Sequence, residues 1–102
     1  MTYKAPTAQI DFILTHVVPF ADLARTDRFA EATAETATAI LSEAGKLAQN
    51  VLAPLNRGSD QTPARLENGV VRSSPGFADG FRAIAEGGWV GVSADPEYGG
   101  MG

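Results

Sequence analysis

Cysteine is absent from the chain, histidine occurs once, and basic residues are outnumbered by acidic ones. Each shortage closes off some chemistry. Without thiols there is no disulfide, no thiolate nucleophile and no cysteine-ligated metal, a usage that fits a reducing compartment. Any serine–histidine relay or histidine-ligated metal has to run through His16 alone. That residue lies in "FILTHVVPF", among large apolar groups, with Asp11 a turn and a half earlier. No second ligand or nucleophile stands at a supporting spacing, so a partly buried or rim histidine on a packing helix is the favoured reading. Nothing approaches the roughly 20 apolar residues of a membrane span. The opening "MTYKAPTAQIDF" lacks the basic start and apolar run of a signal peptide, so a cytoplasmic location is expected. Finally, 8 Lys and Arg against 12 Asp and Glu give a formal charge of −4. With no basic cluster to follow a phosphate backbone, nucleic acid is disfavoured as a partner.

What is present has ordinary globular composition: 102 residues, 44% apolar and 20% charged, enough for one domain. A chain this short buries only about 60–70% of its unfolded surface. Much of its apolar content is alanine, which contributes little area, so the expected core is thin and marginal unless a partner covers part of it.

The clearest element lies in "TAETATAILSEAGKLAQNVLAPLN". At 100° per residue, Thr33, Ala37, Ile40, Leu41, Ala44, Leu47, Ala48, Val51, Leu52 and Leu55 gather on one broad face, with Glu31, Glu35, Thr38, Ser42, Lys46 and Gln49 opposite. Thr33 suits the N-cap, and Pro54 is expected to end the helix by breaking its hydrogen-bond ladder. A short apolar helix around Ile10–Val18 precedes it, stopped by Pro19, and "PFADLARTDRF" suggests a helical turn or two between them. Later, Phe77, Phe81, Ile84 and Ala85 recur at helical spacing, with Ser74 read as N-cap, Pro75 at the first helical position and Gly87 as C-cap. Asn68-Gly69, between Leu66 and Val70-Val71, predicts a type I′ hairpin near residues 64–72. The fold class expected is all-α: an up-and-down helical bundle carrying this one small hairpin, with short connections between antiparallel neighbours.

Side chains able to carry chemistry are few. Asp95 and Glu97 could in principle divide acid and base roles, but they lie in a loop rich in glycine and proline with no apolar pocket around them. Glu35, Glu43 and Lys46 belong to a helix surface, where the pairing of Glu43 with Lys46 adds only a few tenths of a kcal/mol. The glycines form neither a Walker-type loop nor a G-x-G-x-x-G fingerprint. "GGWVG" follows a helix rather than a strand, so its expected work is to end that helix and turn Trp89 inward. No catalytic, cofactor-binding or metal-ligating residue is assigned on these grounds.

Taken in order, "ILSEAGKLAQNVLAPLN" and then "GFADGFRAIAEGGWVGVSADPEYGGMG" resemble the N-terminal helical domain of acyl-CoA dehydrogenases. The second string supplies Ile84, Ala85, Gly87-Gly88-Trp89, Gly91, Pro96-Glu97-Tyr98, Gly99-Gly100 and Gly102. The head, "YKAPTAQIDFIL", resembles the extra N-terminal segment of the larger members, of the 3-methylmercaptopropionyl-CoA dehydrogenase type, with Gln9-Ile10-Asp11 as a departure. The resemblance implies residues 1–102 as an N-terminal helical domain incomplete at its C-terminal end, with the middle β-domain and C-terminal helical domain absent. It also implies an FAD enzyme in which a glutamate takes the α-proton of an acyl-CoA, the β-hydrogen leaves as hydride to flavin, and electrons pass to an electron-transfer partner. The base and most flavin contacts belong to the absent parts, so this piece is expected to hold no FAD and to be inactive alone. A free-standing helical self-association module is the alternative. An uncovered apolar arc around Ile40, Leu47 and Val51 predicts a homo-oligomer in either case.

Overall fold

A computed structural model describes residues 2–102. Its elements are α1 (Thr7–His16), a 3₁₀ turn (Phe20–Arg25), α2 (Ala34–Leu47), a π-turn (Ala48–Leu52), α3 (Ala53–Gln61), strands β1 (Arg65–Glu67) and β2 (Val70–Arg72), α4 (Phe77–Glu86) and a last 3₁₀ turn (Pro96–Tyr98). The all-helical character and the hairpin are as expected. Asn68 and Gly69 both take positive φ, 50° and 78°, and Leu66 faces Val71 across the antiparallel pair.

Thr33 caps α2 as its sequence suggests, with extended backbone and a hydroxyl that accepts the Thr36 N–H at 3.2 Å. The predicted apolar face is the half-buried one, from Ala37 to Leu55. It meets α1 and the extended N-terminal strap ahead of it. The Ala5 N–H donates to Gln49 Oε1 at 2.8 Å, and the Thr38 hydroxyl donates to Asp11 Oδ1 at 3.0 Å. A Cβ placed on Gly45, which is buried, would lie 3.1 Å from Thr7 Cγ2. Contacts that pair 5 with 49, 7 with 45 and 11 with 38 make α1 and its strap antiparallel to α2.

Three expectations are corrected. Pro54 does not end the long helix. The chain widens into a π-turn at Ala48–Leu52, the Ala53 N–H bonds to the Ala48 carbonyl, and α3 continues with Pro54 in its first turn. A wide turn relieves the clash a proline ring makes with the carbonyl four residues back, and Pro in a first turn forfeits no needed donor. The added residue also rotates the register, so Gln49, expected on the solvent face, is half-buried under the strap. At α4 the helix starts at Phe77 rather than after Ser74. Pro75 and Gly76 form a turn closed by Phe77 N–H to the Ser74 carbonyl at 3.2 Å, with Gly76 at φ 83°, and Ser74 is buried beneath it.

The elements form a slab of 55 × 36 × 18 Å with a Cα radius of gyration of 17.3 Å, against about 13 Å for a compact chain of this length. Less than two helix diameters thick, it does not enclose a bundle core. Among the described residues no hydrophobic side chain is fully buried.

Candidate functional site

α3 and α4 meet through leucine and glycine. Leu55 nests against Gly76 and Gly80, where added Cβ atoms would fall 2.7 and 2.8 Å from its methyl groups. This close approach leaves a groove of about 320 Å³ whose apolar lining comes from Leu52, Leu55, Phe77, Phe81 and Ile84. Phe77 and Phe81 remain 43% and 66% exposed along it. Its polar groups are Asn56 and Ser59, and the Ser59 hydroxyl is already committed to the Asn56 carbonyl at 2.7 Å. Such a surface takes up apolar matter; it offers no acid, base or nucleophile pair. In sequence, Phe77 and Phe81 register only as helix periodicity, and Gly76 and Gly80 carry no expectation. The signal available was two glycines four apart on the apolar side of a helix.

Beyond α4 the glycine-rich string folds into two linked turns. Helix α4 ends in a Schellman pattern: Gly88 N–H bonds to the Ala85 carbonyl at 3.1 Å and Trp89 N–H to the Ile84 carbonyl at 3.2 Å. Gly88 takes φ 79°, which a residue with a Cβ enters only at a cost. The half-buried Trp89 folds its indole back over Gly87, as expected of a residue turned inward. The chain then closes a second loop, with Gly102 N–H on the Ala94 carbonyl at 2.8 Å and Gly100 N–H on the Asp95 carbonyl at 3.2 Å. Tyr98 stands 81% exposed on its outside.

The structure does not bring the sequence candidates together. Asp95 accepts the Glu97 backbone N–H at 3.0 Å and so caps the last 3₁₀ turn, while Glu97 is exposed. His16 is exposed at the end of α1, on the rim rather than partly buried, its ring 4.7 Å from that of Phe12; α1 has no layer on its outer side. Asp11, the nearest acid in sequence, is held by Thr38. Glu43 and Lys46 pair at 2.6 Å on the solvent side, and Glu35 is exposed in the first turn of α2. Among the described residues no group of three or more His, Asp or Glu could hold a metal, and no helix is long and apolar enough to cross a membrane.

In sequence the chain is similar to a known protein. The similarity is to an acyl-CoA dehydrogenase. The chain is 33% identical over all 102 residues to the 3-methylmercaptopropionyl-CoA dehydrogenase of Ruegeria pomeroyi and spans 17% of that protein's length. No family model matches the chain. The similarity runs through both the helix-and-proline string and the glycine turn, because it covers the whole of this sequence.

Proposed function

We propose that this chain is the N-terminal helical part of an acyl-CoA dehydrogenase-like flavoenzyme, related to the larger, 3-methylmercaptopropionyl-CoA dehydrogenase type, and that it walls one side of the cleft where acyl group and flavin meet. The observation that carries this reading is 33% identity along all 102 residues of the chain to a stretch that makes up 17% of such an enzyme. The open apolar groove of α3 and α4 supports it, as a face shaped to be covered. In the whole enzyme the reaction is α,β-desaturation of an acyl-CoA with hydride transfer to FAD and onward passage of electrons to a protein partner. The α3–α4 groove does not fit the flavin. A dinucleotide needs converging donors for its pyrophosphate, whereas the groove offers one free carboxamide. No step is assigned to Glu97 or any other side chain here. Alone, the 102-residue chain will show no flavin absorbance after incubation with FAD and no oxidation of acyl-CoA with an artificial acceptor; turnover above a protein-free blank overturns the proposal.

A second reading, self-association, is favoured by surface area. The chain exposes 7906 Å², while a folded monomer of 10.7 kDa is expected to expose about 5,500 Å². The surplus, roughly 2,400 Å², exceeds what a standard protein interface buries in total. The faces concerned are not the half-buried arc of Ile40, Leu47 and Val51 but the outer side of α1 and the residues just after it (Phe12, Val17, Val18) and α4 (Phe77, Phe81). Both readings require those faces to be covered, by other domains in the first and by a second copy in the second.

A further inference from the structure

Beside the α3–α4 groove, with which it shares Leu52 and Asn56, a second cleft opens where the N-terminal strap crosses the π-turn. Its volume is about 620 Å³, within the range of roughly 300–1,000 Å³ usual for small-molecule sites. Tyr3 of the strap, Gln49 and Leu52 of the π-turn, and Pro54, Asn56 and Arg57 of α3 line it, and no carboxylate does. π-turns inside α-helices concentrate at functional positions, and this one contributes Gln49 and Leu52 to the lining.

The charge pattern is selective. Arg25, Lys46, Arg65, Arg72 and Arg82 are each ion-paired, and Arg28 lies over the Phe29 ring at 5.5 Å. Among the described residues, the basic side chains left without either kind of partner are Arg57 and Lys4, one lining the cleft and one beside Tyr3. Acidic groups outnumber basic ones in this chain, 12 to 8, so a partner for Arg57 was available and was not placed. Gln49 adds orientation: its Oε1 is held by the Ala5 N–H, which leaves the amide NH₂ as a donor. Arg57, Gln49, Asn56 and the Tyr3 hydroxyl thus bring several donors to a cleft that Leu52 and Pro54 also line.

We propose that this cleft binds a small organic anion, a carboxylate or phosphate head on a compact apolar body. Arg57 grips the head through its planar fork, which matches both groups. Gln49, Asn56 and Tyr3 donate to its remaining oxygens, and Leu52 with Pro54 takes the body. The strap, locked down over Gly45, fixes the spacing between Tyr3 and the π-turn.

The test is an amide-resolved NMR titration of the full chain with phenyl phosphate, phenylacetate, inorganic phosphate and benzyl alcohol. The expected result is saturable shifts at Tyr3, Gln49, Asn56 and Arg57 with at least one aromatic anion, at least about tenfold tighter than with the neutral alcohol or with inorganic phosphate. Whichever aromatic anion binds tighter identifies the head group. Arg57→Met, which keeps the aliphatic stem, is expected to weaken binding about tenfold, while Arg82→Met, on the far element α4, leaves it unchanged. Shifts that do not saturate, equal response to benzyl alcohol, or undiminished affinity in a well-dispersed Arg57→Met spectrum overturns the assignment.

Discussion

At the residue scale two positions rest on single, checkable contacts. The Thr33 hydroxyl satisfies an N–H that the first turn of α2 leaves without a helical partner. Thr33→Ala removes that acceptor and is expected to cost about 1 kcal/mol, read as a lower urea midpoint at unchanged slope. Gly100 sits so close to the chain behind it that an added Cβ would fall 2.0 Å from the Ala94 carbonyl oxygen. Backbone cannot yield as a side-chain tip does. Gly100→Ala is therefore expected to open the final loop, with the Gly102 amide losing its bond to Ala94 and exchanging with solvent far faster, while α2 amides are unaffected. Retained protection at Gly102 would show that the loop tolerates the substitution.

At the element scale the strap and the π-turn depend on each other. Gly45 is buried because Ala5 and Thr7 lie on it, 3.3 and 3.1 Å from where its Cβ would be. Gly45→Val fills that space and lifts the strap. The expected readout is loss of protection at the Ala5 amide, whose acceptor is Gln49 Oε1, with helical circular dichroism nearly unchanged because α2 itself survives. The hairpin is a smaller unit. Glu67 stands between Arg65 and Arg72, at 2.6 and 3.9 Å, and relieves two like charges that face one another across the strands. All three side chains are about half exposed, so this pairing sets register more than it adds stability.

At the scale of the whole molecule, the slab has two apolar faces and little interior. Phe81 is 66% exposed, so removing it from a monomer costs little, within about 0.5 kcal/mol for a surface substitution. If its face is a covered one, the same change matters for association. Phe77→Ser with Phe81→Ser is expected to leave the unfolding midpoint close to the parent's and to lower both dye binding at exposed apolar surface and mean mass by light scattering at high concentration. A parent chain that is strictly monomeric under those conditions removes self-association and leaves coverage by other domains of a larger enzyme as the reading of these faces.

Local signals were legible wherever neighbours in sequence decide the structure. Thr33 as a cap, the Asn68-Gly69 turn, the close of α4 before Trp89 and the half-buried face from Ala37 to Leu55 all follow from side-chain chemistry at short spacing, and the structure keeps each. Pro54 was misread, because a proline ring sets only that the ladder must adapt; whether it adapts by stopping or by widening depends on what packs beside it. Gln49 and Arg57 gained meaning only when the strap from Tyr3 to Ala5 was laid across the π-turn, a juxtaposition of groups more than forty residues apart in sequence. The groove between α3 and α4 likewise needed Leu55 to find Gly76 and Gly80. The sequence by itself determined where helices and hairpin form, the Thr33 cap and the acyl-CoA dehydrogenase-like string of motifs, because these are set by propensity and local hydrogen bonding. Only the tertiary structure decided that the apolar faces stay open and that the unpaired arginine lines a cleft, because both depend on which surfaces lie beside each other in space.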